Sequence, residues 1–398
     1  MAHGREGVAD VVIGQGKTEV AMQRLLPAAA VAVTLAAFVA CDSSRPTGPV
    51  APAAPDAART ALPNAPTVVV GGLQYPRGFT FGKDGSIYVA EAGMPEANST
   101  STVGLCPQTP PPVGPYVGGF GGRVSRVTMA GQRTTVADAL PSARNQLGDV
   151  DGVADVAFSD GKLYVLIASG CPRGMIDTPS SVSRIKDNGK LKMEANLSTW
   201  IQSHPVAHPE ADDLEPDGDW YNMAATEKLL YLVEANQGNL VSMRPDNGEV
   251  QRVADVSATE NGHVVPTGLA LLKGGEELLV GELTPFPAVP GASNLLRYSD
   301  DGAVLGRLGG FTAVLGVATD PAGNTYILET FTCATMTPCF PSPGSGDVVR
   351  VRPNGTRDVV ASGLSFATAL RRGPDGALYV ANFGYGPPGM GQILRVMP

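Results

Sequence analysis

The chain has 398 residues, 43% hydrophobic and only 17% charged, with 49 glycines and 34 prolines. A net charge of −9 and a pI near 5.0 exclude the basic face that a nucleic-acid partner requires. The Gly and Pro content suits many short strands joined by tight turns, not a helical protein.

Residues 1–21 carry no export signal and are expected to lie upstream of the true start. From Met22 the chain reads Met-Gln-Arg-Leu-Leu-Pro, then an Ala/Val/Leu run to Phe38-Val39-Ala40-Cys41. This is a basic segment, an apolar segment and small residues before a cysteine, so residues 1–40 are expected to be a signal peptide. The apolar run is shorter than the ~20 residues of a spanning helix. Phe38-Val39-Ala40-Cys41 resembles the lipobox of bacterial lipoproteins, which implies lipid attachment at Cys41. A plain cleavable secretion signal is the alternative. Either route exports the protein to the bacterial cell envelope, on its periplasmic or extracellular side. Residues 41–66, rich in Pro, Ala and Ser without periodicity, read as a disordered tether.

From residue 67 to 398 a cassette recurs: an apolar run, a two-residue turn, a second apolar run usually ending in Glu or Asn. Its copies turn at Asp84-Gly85, Asp160-Gly161, Thr226-Glu227, Gly274-Gly275, Ala322-Gly323 and Asp375-Gly376. Apolar runs around such turns are β-hairpins. A further strand pair follows each hairpin, opening at Val124, Val182, Leu240, Leu295, Val348 and Ile393, although the last copy ends after its third strand. The expected fold is therefore an all-β, six-bladed β-propeller of four-stranded antiparallel blades. The strand around Val68-Val69-Val70 is expected to complete the last blade and close the ring, removing open edges. The closed ring is expected to be a monomer.

Five cysteines would leave one unpaired, but with Cys41 set aside four remain. Disulfides suit an oxidising export compartment. Cys333 and Cys339 are expected to pair, and Cys106 and Cys171 fall in corresponding loops of adjacent repeats.

In a propeller, residues before the first strand and after the second of each blade share one mouth of the channel. The closing column reads Glu91, Ile167, Glu234, Glu282, Glu329 and Asn382. Four carboxylates in one ring repel and need a cation, water, protons or arginines. Two readings stand: Glu91, Glu234, Glu282 and Glu329 hold a hard ion such as Ca²⁺, or they cap backbone N–H groups. In the opening column Asp155 and Asn222 replace a Gly that other repeats mostly keep. Arg77 is the only base beside Ala154, Tyr221, Thr267, Leu315 and Thr368. Arg77, Glu91, Asp155, Tyr221, Asn222, Thr267 and Asn382 are the candidate ligand-binding residues. Long insertions at 94–122, 171–181, 284–293, 331–346 and 384–391 should all emerge on this mouth. The segment 202–218 adds His204, His208, Glu210, Asp212, Asp213, Glu215 and Asp217, a metal loop or a solvated acidic one.

Tyr75-Pro76-Arg77-Gly78-Phe79, Leu214-Glu215-Pro216-Asp217-Gly218, Val265-Pro266-Thr267-Gly268-Leu269 and Tyr379-Val380-Ala381-Asn382-Phe383-Gly384 resemble the ScyD/ScyE family of exported propellers. The resemblance covers about residues 67 to 398 and implies an architecture related to NHL-repeat and gluconolactonase-like propellers. The family's usual Asn-Pro-Tyr-Gly after Glu-Pro-Asp-Gly is here Asp219-Trp220-Tyr221-Asn222. Three functions are expected in turn. The first is a lipid-anchored binding propeller for a small molecule, glycan or envelope protein. The second is a Ca²⁺-dependent lactonase-like hydrolase, and the third an accessory enzyme of oxidative secondary metabolism.

Overall fold

The computed structural model describes residues 65–95, 99–211, 213–258, 264–333 and 339–398. The expected signal peptide, Cys41 and nearly all of the tether lie outside these residues, as does Asp212.

The strands follow the repeat. In chain order they are β1 (Thr67–Leu73), β2 (Pro76–Phe81), β3 (Ile87–Glu91), β4 (Val117–Val127) and β5 (Arg133–Arg144). Next come β6 (Val150–Ser159), β7 (Lys162–Ile167), β8 (Ser181–Ile185) and β9 (Leu191–Asn196), followed by the short helix α1 (Leu197–Ser203). Then come β10 (Trp220–Ala225), β11 (Leu230–Glu234), β12 (Asn239–Met243), β13 (Val250–Asp255), β14 (Pro266–Leu272), β15 (Glu277–Glu282), β16 (Ser293–Ser299) and β17 (Val304–Phe311). The last are β18 (Val314–Thr319), β19 (Thr325–Glu329), β20 (Gly346–Val351), β21 (Arg357–Leu364), β22 (Ala369–Arg372), β23 (Leu378–Asn382) and β24 (Gly391–Val396). No described helix is long and apolar enough to cross a membrane.

Every ladder is antiparallel, and the architecture is a β-propeller of four-stranded blades. Four sheets stand separately: β10–β13, β14–β17, β18–β21, and β22–β24 with β1. The expectation of six separate blades is corrected at the remaining strands, which form one eight-stranded sheet, β2 to β9. The cause is local. β4 and β5 extend beyond the usual blade length, so that Ser142, Ala143 and Arg144 pair with Gly152, Asp151 and Val150 of β6. The turn at Asn145–Asp149 then acts as a hairpin between strands that elsewhere belong to different sheets.

The inner strands close a ring: β2 touches β6, and contacts run on through β10, β14, β18 and β22 back to β2. β1 pairs with β24, placing Val68 opposite Leu394 and Leu73 opposite Gly391. Val70 and Leu73 join Phe79, Val89, Tyr379 and Ile393 in one apolar core across the closure. Strands near the axis are covered on both faces and read as continuous apolar runs, as in fully buried Leu230–Glu234 and Glu277–Glu282. The outer strand Val304–Phe311 is largely exposed and carries Gly and Arg. Gly85 and Gly376 supply the positive φ that their hairpin turns require. The Thr226 turn lacks a Gly, and the Thr226 hydroxyl accepts from Leu229 N at 2.9 Å instead.

Arginines in the third strands pair with acids of their own sheets, as Arg126 with Asp84, Arg350 with Asp358 and Arg395 with Asp375. Both disulfides form as expected, Cys106–Cys171 and Cys333–Cys339. Disulfides persist in oxidising compartments, which suits a non-cytoplasmic protein.

Leu73 is fully buried in the closure core. Leu73→Ala should cost about 2–5 kcal/mol in urea unfolding. A loss within ~0.5 kcal/mol would show that β1 adds nothing to ring stability.

Candidate functional site

Two groups of charged side chains occupy the channel, one at its waist and one at its mouth. At the waist, Asp155 of β6 is fully buried. Its oxygens accept from Val156 N and Met223 N at 2.8 Å each and from Arg371 Nη2 at 2.6 Å. Arg371 also donates to Asn222 Oδ1 at 3.0 Å, Met223 O at 2.8 Å and Phe79 O at 3.2 Å. A Cβ on Gly78 would sit 2.0 Å from Asp155 Oδ1, so Gly in that column leaves the space that Asp155 fills. Burial raises the Asp155 carboxyl to about 6 even though Arg371 and the two amides favour its ionised form. Asp155 and Asn222, expected as ligand-binding residues, are thus engaged in a tie between strands. Arg371, their partner, is absent from the sequence-based set.

At the mouth, two arginines are interleaved with four acids. Arg77 Nη1 donates to Asp149 Oδ1 at 3.0 Å, and its Nη2 lies 3.7 Å from Asp151 Oδ1. The Arg77 guanidinium sits over the Tyr221 ring, 5.3 Å from its centroid. Arg173, 1% exposed, donates to Asp219 Oδ1 at 3.1 Å, to Gly218 O at 3.0 Å and to Glu215, and lies 3.4 Å from Asp151 Oδ2. Tyr116 donates to Glu215 Oε1 at 3.0 Å. Burial, then the neighbouring acids Asp151 and Glu215, push the Asp219 carboxyl well above its ordinary range. Burial also raises Asp149 and Glu215, against the opposing pull of Arg77 and Arg173 respectively. Burial works against the Arg77 charge, but Asp149 leads a set of neighbours that outweighs it and keeps the guanidinium protonated. The site therefore holds carboxyls whose proton affinity burial raises, beside permanently charged arginines.

The insertions gather above this cluster as expected. Cys106–Cys171 joins the first to the second, Thr100 donates to Gly174 O at 2.6 Å, and Ala288 bridges to Cys339. Tyr385 of the last insertion donates to Leu147 O at 2.9 Å.

The closing column behaves differently. Glu91 accepts from Gln74 N at 2.7 Å, Ser125 Oγ at 2.6 Å and Arg133 Nη2 at 2.6 Å. Glu234 accepts from Asp219 N at 2.9 Å, Asn236 N at 2.8 Å and Asn239 Nδ2 at 3.1 Å. Glu329 accepts from Thr312 N at 2.6 Å and Asn382 from Ser365 N at 2.8 Å. These groups cap the connector entering their own sheet, which is the backbone-capping reading of the column. Thr267 likewise donates to Val314 O at 2.6 Å, tying β14 to β18. No group of three or more His, Cys, Asp or Glu among the described residues is arranged to hold a metal. The four glutamates do not fit the expected Ca²⁺, because three of them hold N–H donors within separate sheets. His204 stacks on Trp200 at 4.6 Å and its Nδ1 lies 2.7 Å from Trp200 O.

No family model matches the chain, and no curated protein matches it. Solved structures do. A protein of unknown function from Bacteroides thetaiotaomicron aligns at TM-score 0.54 and 12% identity, over 83% of this chain and 75% of that one. A gluconolactonase from Xanthomonas campestris aligns at 0.50 and 13%, over 88% and 99%. A putative oxidoreductase (glucose dehydrogenase) from Thermus thermophilus aligns at 0.50 and 16%, over 83% and 99%. The chain shares the β-propeller fold with them. At these identities the likeness shows the fold alone.

Glu282 is the exception in its column. It is 5% exposed, and among the described residues it takes one hydrogen bond, from Asn294 Nδ2 at 3.2 Å, while its buried Oε1 has no partner there. Burial raises it to about 7, so the folded state holds a proton that the unfolded state loses above about 4.5. Its contribution to stability therefore falls as pH rises from about 4.5 to 7. Glu282→Gln should be near neutral at pH 4 and stabilising by about 1–3 kcal/mol at pH 8. Equal effects at both pH values in chemical denaturation would overturn this.

Proposed function

We propose that the protein is an exported, lipid-anchored propeller of the ScyD/ScyE type whose mouth binds a small polyhydroxylated molecule of the glycan class. The observation that carries the reading is the exposure of Asp149 and Asp219. Their side chains remain 36% and 32% exposed although Arg77 and Arg173 hold them in place. A carboxylate fixed on one side by an arginine keeps acceptor lone pairs free on the other. Two such groups, with the Tyr221 ring positioned beneath Arg77, match a ligand that donates several hydroxyl protons. Preorganisation by buried ion pairs lowers the ordering cost of binding.

A second reading is favoured by the raised carboxyls. Asp219, whose proton affinity burial raises, stands beside other carboxyls of the cluster and offers an acid–base pair of the kind that opens a sugar-acid lactone, and one structural neighbour is a gluconolactonase. The same ligand class serves both readings. With the glutamates unsuited to Ca²⁺, no metal step is included.

Calorimetry of the purified protein against neutral monosaccharides, sugar acids and their lactones tests the binding reading, and proton release from the lactones tests turnover. Asp219→Asn should weaken binding about tenfold or more with an unchanged melt, since the side chain is partly exposed. If no member of the panel produces heat or proton release, the mouth does not bind this class. Heat without turnover would leave binding and remove hydrolysis.

A further inference from the structure

Below the waist, the inner strands β2, β6, β10, β14, β18 and β22 enclose a well of about 340 Å³, opening at the end away from the mouth. Its floor is Arg371, whose charge is taken by Asp155. Phe81, Ala157, Ala225 and Leu271 contribute apolar wall. A recess beside it shares Phe81 and Arg372 and adds Lys83. Lys83 and Arg372 are both exposed. The neighbouring acids are already engaged, Asp84 by Arg126 and Asp375 by Arg395. Other acids of the hairpin turns at this end are also held, Asp160 by Lys162 and Asp320 by Asn324 and Tyr326. Glu227 and Glu276 lie in the β10–β11 and β14–β15 turns, across the ring from Lys83 and Arg372. One side of this well, which is walled by apolar side chains together with Thr80 and Thr319, thus presents two cations whose adjacent acids are already paired.

We propose that this lower well binds a free single-chain acyl carboxylate, its tail in the channel and its headgroup on Arg372 and Lys83. A flat anion would use the cations but not the well, and a neutral hydrocarbon the reverse. The combination selects an amphiphile with one charge at the end of one chain. Taking a methylene at roughly the ~30 Å³ share of a water, the well holds on the order of ten carbons. The proposal is independent of what the mouth binds, because the Asp155–Arg371 tie separates the two.

Displacement of a fluorescent fatty-acid probe from the full protein, with straight-chain carboxylates of about six to fourteen carbons, tests this. Affinity should tighten roughly fourfold per methylene and level off near ten to twelve. Arg372→Ala combined with Lys83→Ala should weaken carboxylates about tenfold and leave the matching alcohols unchanged. Ala225→Trp should abolish binding by filling the well. If that variant fails to fold, the chain-length series and the charge variant still decide. Affinity indifferent to chain length, carboxylate binding unchanged in the charge variant, or loss of binding in Asp219→Asn would each overturn the proposal. So would binding to anionic phospholipid vesicles with no saturable uptake of free carboxylate, which would mark a membrane-facing surface instead.

Discussion

Arg371 reaches across the channel from β22 and bonds to Phe79 of β2, Asp155 of β6, and Asn222 and Met223 of β10. Backbone ladders hold each sheet together but cannot join inner strands of different sheets at the axis. This side chain does so by hydrogen bonds, in a place where a buried, charged pair is costly unless every partner is present. The partners are present: both Asp155 oxygens and the guanidinium are met by backbone groups as well as by each other. Removing either member would leave an uncompensated charge, a loss of about 3–5 kcal/mol. The tie also dictates sequence elsewhere, because Gly78 cannot carry a side chain while Asp155 occupies its space.

The ends of the channel differ in electrical character. At the mouth, four acids surround two arginines, and burial, aided by the neighbouring acids, lifts Asp149, Glu215 and Asp219 above their ordinary range. At the other end Lys83 and Arg372 stand beside acids already paired elsewhere. Net charge alone, at −9, would predict an acidic surface throughout. The distribution matters more than the sum, since clefts with low-dielectric walls focus the local field.

The repeat was legible because its turns and apolar runs are local signals. Asp84-Gly85 and Asp375-Gly376 announce hairpins, and β1 beside β24 follows from an unpaired third strand at the chain's end. The merging of two blade units into one sheet was not legible, because it depends on β4 and β5 running past their usual length to meet β6. The Glu column was visible, but its direction was not: one turn of a side chain separates a channel ligand from a cap on Gln74 or Thr312. The mouth cluster was half seen. Arg77 and Tyr221 stood out as column exceptions, whereas the Asp149 and Asp151 pair at the start of β6, Arg173 and Asp219 come from three separate stretches and converge only in the fold. The Asp-Val-Asp spacing at Asp149 to Asp151, ahead of the second inner strand, was the signal that could have found them. Arg371 was hidden because it sits in an adjacent pair with Arg372, which reads as a solvated strand end.

The waist tie has a consequence for how the two ends relate. For a ligand to pass along the axis, Arg371 would have to leave Asp155 at the centre of the ring. The cost of the unpaired carboxylate, several kcal/mol, makes such openings rare at equilibrium. Protonating Asp155 lowers that cost. Its carboxyl is raised to about 6 by burial, so the neutral form becomes accessible in mildly acidic conditions while remaining minor at pH 8. The mouth and the lower well are therefore separate near neutrality, and any coupling between them must run through the single side chain that divides them.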